Sequence, residues 1–131
     1  MNNLLTLAAI IEAATGLALM ALPAVVVRLL LGSDLSGAGI PVGRVAGFGL
    51  LALGVACWPR RDPTGKQGPA LRGMLTYNVL ATLYLLCLGI GGELVGPLLW
   101  PAAVLHGILS LLLARQRKLE DARQPGRVVP P

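Results

Sequence analysis

The chain is 131 residues long, 55% hydrophobic and only 13% charged, with a mean hydropathy of +0.74. A water-soluble fold of this size buries only about two-thirds of its surface, so most of these apolar side chains would find no core to enter. Eleven Lys and Arg against six Asp and Glu give a formal net charge of +5. The basic residues gather in short connections and in the C-terminal tail, which argues against nucleic acid as a partner and for a lipid bilayer as the solvent.

Four apolar stretches follow one another: Leu4 to Leu22, Ile40 to Trp58, Leu71 to Ile90 and Pro97 to Ala114. Each is close to the roughly 17–25 residues that a helix needs to cross a hydrocarbon core. No stretch alternates as a barrel strand does, so backbone hydrogen bonds must close within helices. The prediction is an all-α polytopic membrane protein, a four-transmembrane-helix bundle over residues 1–115, with a flexible cytoplasmic tail at 116–131 and no second domain.

The first stretch ends at Pro23, and Ala24 to Leu31 continues as an apolar piece carrying Arg28 until the Gly32-Ser33-Asp34 break. That piece reads as a short interfacial helix; the alternative, one kinked helix from Leu4 to Leu31, would be about 42 Å long and strongly tilted. A cleavable signal peptide is disfavoured, because the basic n-region is missing and Glu12 interrupts the apolar run. The second stretch gives way at Pro59 to a polar, turn-rich loop that ends at Pro69. Gly91-Gly92-Glu93 predicts a tight turn before the fourth stretch, in which Pro97 suits a first helical turn and Pro101 is expected to bend the helix start.

The second connection holds Arg60, Arg61 and Lys66, with Arg72 just inside the next helix, and Arg115, Arg117, Lys118, Arg123 and Arg127 occupy the tail. The opposite connections carry Arg28 and Glu93. The bias predicts both termini in the cytoplasm, with Trp58 and Trp100 as interfacial aromatics. The short, loop-poor design suggests a bacterial cytoplasmic (inner) membrane.

Cys57 and Cys87 fall about 20 Å or more apart in this threading, too far for an intrachain disulfide. One His and two distant Cys supply no metal site, and neither a cofactor motif nor a nucleophile–base pair is visible. The expectation is therefore a protein that is not an enzyme and carries no cofactor. In the second stretch Gly43, Gly47, Leu50, Gly54 and Cys57 share one helical stripe, with Gly43 and Gly47 as a GxxxG pair. This helix-packing face serves either another helix of the bundle or a homodimer or membrane-protein partner.

Polar residues at membrane depth are costly and carry the chemistry of such chains. Measured along each helix from its cytoplasmic end, Glu12 lies at about 12 Å, Asn78 at about 10 Å and His106 at about 12–14 Å, which predicts one intramembrane polar layer. Spans one and four, and three and four, are expected to be neighbours in an up-down bundle. Glu12 is either a carboxylate that exchanges protons or a structural residue paired with His106. Tyr77 and Tyr84 read as packing aromatics with their hydroxyls turned to this layer. Arg44, at about 21 Å, is expected to reach outer-leaflet headgroups rather than Glu12.

The runs Ile11-Glu12-Ala13-Ala14-Thr15-Gly16, Leu30-Leu31-Gly32, Gly43-Arg44-Val45-Ala46-Gly47 and Leu51-Ala52-Leu53-Gly54 resemble the small four-helix bacterial inner-membrane proteins grouped as DoxX-like. The resemblance implies a fold and a location more than a reaction. Small multidrug resistance exporters are similar in size and also carry one glutamate in their first helix. Here, however, Gly16 follows Glu12 by four positions where that family has three, and the aromatic-rich glycine motif of its third helix is not evident. The leading expectation is an accessory or scaffold subunit, and the alternative is a proton-coupled small-molecule exporter using Glu12.

Overall fold

The computed structural model describes residues 3–58 and 68–122. They form five α-helices and no strand: α1 (Asn3–Ala21), α2 (Pro23–Leu31), α3 (Gly39–Ala56), α4 (Gly68–Gly91) and α5 (Leu99–Ala122). Asn3–Ala21, Gly39–Ala56, Gly68–Gly91 and Leu99–Glu120 are long and apolar enough to cross a membrane. The basic loop residues Arg60, Arg61 and Lys66, and Arg123 and Arg127 of the tail, lie outside the described residues.

The breaks follow from backbone chemistry. Proline has no N–H and disfavours a helical residue before it, so Leu22 leaves the helix at φ −134°, ψ 57° and Pro23 opens α2 at a position that needs no donor. Leu22 still donates to the Ala18 carbonyl and accepts from Val26, so α1 and α2 meet at a single bend. α2 ends where Gly32 turns left-handed, φ 69°, and donates back to the Arg28 carbonyl. α2 carries one charged residue, Arg28, in an otherwise apolar run.

The second half departs from the expected boundaries. α4 begins at Gly68, so Pro69 belongs to its first turn and not to the loop. It closes at left-handed Gly92, whose N–H reaches the Leu88 carbonyl, and the chain then runs to Leu98 rather than making a tight turn. Pro97 therefore precedes α5. Pro101 falls in the first turn of α5, where its missing N–H would have had no intrahelical partner, so no bend is required. At the other end α5 continues through Ala122, so the segment expected to be a loose tail from residue 116 starts as helix.

Packing divides the molecule into two antiparallel hairpins, α1 with α3 and α4 with α5, joined by lighter contacts. The main neighbour of α1 is thus α3; its contact with α5, expected from simple up-down order, is slight. Glycine sets the first pairing. A Cβ on Gly47 would lie 2.7 Å from the Gly16 carbonyl oxygen, one on Gly16 2.7 Å from that of Gly47, and one on Gly54 2.7 Å from that of Ala9. Gly43 faces Pro23 and Leu35. Gly43, Gly47 and Gly54 thus all face α1, Pro23 or Leu35 within the chain.

At one end of the bundle Leu5, Ala8, Ala9, Cys57, Leu71, Met74, Leu109 and Leu113 form a core fed by all four long helices. There the Cys57 thiol contacts the Ala70 carbonyl at 3.4 Å, while Cys87 is exposed. A smaller core of Leu85, Leu99 and Ala103 lies toward the other end, where α2 bridges the hairpins. Gly96 N–H donates to the Leu30 carbonyl at 3.1 Å and Leu98 N–H to that of Leu29 at 2.9 Å. A Cβ on Gly96 would collide with the Leu29 carbonyl oxygen and lie 2.7 Å from Gly32 N. Gly96→Val should therefore undock α2 at a cost of about 1–3 kcal/mol. The signature is a lower melting temperature in detergent with new protease cleavage around residues 92–98; an unchanged digestion pattern would argue against this latch.

Candidate functional site

Between the two cores lies a layer of polar side chains. Each is set by its helix: Glu12 on α1, Tyr77 and Asn78 on α4, and His106 on α5. Asn78 is fully buried, and its amide nitrogen donates to the Met74 carbonyl one turn back at 2.9 Å. That bond fixes the amide orientation, so Asn78 Oδ1 is the atom 2.8 Å from His106 Nδ1. An acceptor there requires the proton on Nδ1, which leaves Nε2 of the neutral ring as an acceptor. Thr82, Ser110 and Thr15 each donate their hydroxyl to the carbonyl four residues earlier, so the helices absorb those groups locally.

Glu12 is different. It is 1% exposed, yet neither carboxyl oxygen has a hydrogen-bond partner among the described residues. Its Oε1 stands 3.7 Å from His106 Nδ1, within ion-pair reach but beyond a hydrogen bond. The Tyr77 side chain stands beside the same carboxyl, and its ring meets His106 edge-on with centroids 5.7 Å apart. The structure thus brings Glu12, Asn78 and His106 together as one layer, in which the Asn78–His106 bond is made and Glu12 stands at ion-pair distance from the same ring without closing a hydrogen bond.

The other singled-out residues lie elsewhere. Arg44 is exposed on α3 and pairs with no described residue. Arg28 and Asp34 approach to 3.8 Å at the exposed end of α2. Gly43, Gly47 and Gly54 serve the α1–α3 seam described above. Among the described residues, no three His, Cys, Asp or Glu side chains gather as a metal site would require.

Beside the polar layer is a cavity of about 710 Å³, walled by all five helices. Leu19, Val26, Leu30, Leu85 and Leu98 typify its lining, which is apolar except for Thr15, Tyr77, Tyr84 and His106. Its existence follows from the packing: the hairpins meet closely around the first core, then separate, and α2 spans the gap. Tyr84, expected to pack, is instead 67% exposed at the cavity edge.

Comparison with protein-family models, with curated proteins and with solved structures gave no match. The site therefore has to be interpreted from its own chemistry.

A half-buried ring nitrogen and a tyrosine at one end of an apolar cavity can orient one polar group of a ligand while the rest of it occupies the hydrocarbon-like space. Sequence reading missed the cavity. Three small residues, Ala18, Ala81 and Ala102, stand on its wall, one from each of three helices.

Replacing His106 with Leu removes the partner of Asn78 Oδ1 and should lower stability in detergent by about 1–2 kcal/mol. In a thermal-shift double-mutant cycle, His106→Leu and Asn78→Leu should cost less together than the sum of the two; simple additivity would mean that the bond contributes nothing.

Proposed function

We propose that this chain is a DoxX-like multi-pass protein of the bacterial cytoplasmic membrane, a non-enzymatic accessory subunit that holds an amphiphilic molecule within the bilayer. Lipid contact is supported by the outward apolar surface: only 11% of the apolar window of α3 is buried, and Val42, Val45, Phe48 and Val55 stand exposed along it. Surfaces of that kind avoid water. In the proposed threading both termini are cytoplasmic, α2 lies at the outer interface, and Arg44 reaches outer headgroups. A homodimer or membrane-protein partner would meet the outer face of α3, since the Gly43/Gly47 face is already occupied.

The observation that carries the holding role is the apolar cavity ending at His106 and Tyr77. Native mass spectrometry of the protein released from mild detergent tests it: a retained small amphiphile is expected, and its loss in Ala102→Trp. A wild-type chain free of any adduct, and unable to take one up, would end the proposal.

Proton-coupled export is the second reading, favoured by the buried carboxyl of Glu12, which closes no hydrogen bond and stands 3.7 Å from the cavity-lining His106. It requires pH-gradient-driven substrate movement in liposomes that Glu12→Gln abolishes without unfolding the protein. Absence of such flux across a broad panel of cations would eliminate it.

A further inference from the structure

We propose that the cavity takes a neutral long-chain alcohol, with the hydroxyl donating to His106 Nε2 and the hydrocarbon chain lying between the two hairpins. This deepens the holding role proposed above and rests on it. Three independent observations define the ligand.

Charge comes first. Among the described residues no Lys, Arg, Asp or Glu lines the cavity, so none of them neutralises an ionic head there, and removal of an unpaired charge from water is prohibitive. An anionic head at His106 would also stand next to the Glu12 carboxyl, 3.7 Å from the same ring. Hydrogen-bond polarity comes second. Asn78 holds the proton on Nδ1, so the ring presents an acceptor, and Nε2 has no partner among the described residues. A carbonyl or ether oxygen cannot satisfy it; a hydroxyl can. The Thr15 hydroxyl, spent as a donor on the Ile11 carbonyl, leaves a second acceptor on the wall.

Shape comes third. A volume of about 710 Å³ accommodates a single chain, and exposed Leu80, Tyr84 and Leu105 at the rim let that chain enter sideways from the surrounding lipid.

The chain contains a single histidine, which makes the test direct. With ring-¹⁵N histidine in the full-length protein in nanodiscs, the spectrum should show the Nδ1-protonated tautomer, and hexadecanol, but not hexadecane, should shift the Nε2 resonance. Binding of radiolabelled hexadecanol should exceed that of hexadecanoate and hexadecylamine by roughly tenfold. Ala81→Trp, which fills the cavity, should lose all three, and His106→Phe should lose the preference for the alcohol.

An Nε2-protonated ring, an Nε2 signal indifferent to hexadecanol, or equal or stronger binding of the amine or the acid would overturn the proposal while leaving a ligand-holding cavity in place. If the folded wild type retains none of the probes, the holding role itself fails.

Discussion

Gly47→Leu should abolish the folded monomer, whereas Gly49→Leu, two residues along the same helix, should be tolerated. A Cβ at Gly47 meets backbone on the facing helix, Gly16 O at 2.7 Å and Met20 N at 3.0 Å, as well as the Met20 side chain at 2.9 Å; at Gly49 nothing lies within 4 Å. Backbone cannot rotate out of the way as a side-chain tip does, so α1 and α3 must separate along their length, at about 3 kcal/mol or more. The exposed site should change stability by less than about 0.5 kcal/mol. Gly16→Leu should reproduce the Gly47 result from the other side of the seam, since its Cβ would lie 2.7 Å from Gly47 O. Size-exclusion profiles and melting curves in detergent would show this contrast. Equal behaviour of the Gly47 and Gly49 variants would mean that α1 and α3 do not pair this way. The same geometry alters what Gly47→Leu can be used for: it reports on the hairpin itself and not on the binding of a partner.

Glu12→Leu should stabilise the protein, an unusual direction for a change at a buried position. The carboxyl is 1% exposed and neither oxygen closes a hydrogen bond, its nearest recorded polar contact being His106 Nδ1 at 3.7 Å, so the fold bears the desolvation of a polar group without a hydrogen bond in return. Leucine is of comparable size and removes that cost, for an expected gain of about 1–3 kcal/mol. Glu12→Gln keeps a polar head in the same place and should change little by comparison. A melting-temperature series of wild type, Gln and Leu in one detergent decides the matter. If Leu melts well below the other two, Glu12 is a structural clamp after all, and the proton-exchange role would need another basis. A residue that costs stability where it stands is one whose presence calls for a functional explanation.

Much of the architecture was legible because length and apolarity alone limit what a segment can be. The four long helices lie where apolar runs predicted, and Pro23 marked the start of α2 because proline chemistry is local. Boundaries set by tertiary contact were not legible in this way. Pro97 was placed inside a helix because first-turn proline is common, but Gly96 and Leu98 are engaged with α2, a contact that no local rule reveals.

In the candidate site, helical rise put Glu12, Asn78 and His106 at one depth. Rise says nothing about azimuth, so it could not show that the Asn78–His106 bond forms while Glu12 closes no hydrogen bond. Nor could it show that Gly43 and Gly47 turn inward, since GxxxG reads the same whether the close neighbour lies within the chain or beyond it.

In the proposed threading the chain crosses a bilayer four times, with the α2 end of the bundle outside. A membrane-impermeant thiol reagent applied to intact cells tests this directly, using single cysteines at Asp34, Glu93 and Lys118 in a Cys57→Ala, Cys87→Ala background. Asp34→Cys and Glu93→Cys should react in sealed cells, and Lys118→Cys only once the membrane is opened. Labelling of positions 34 and 118 from the same side, or a protein that stays monodisperse in buffer without detergent, would contradict it.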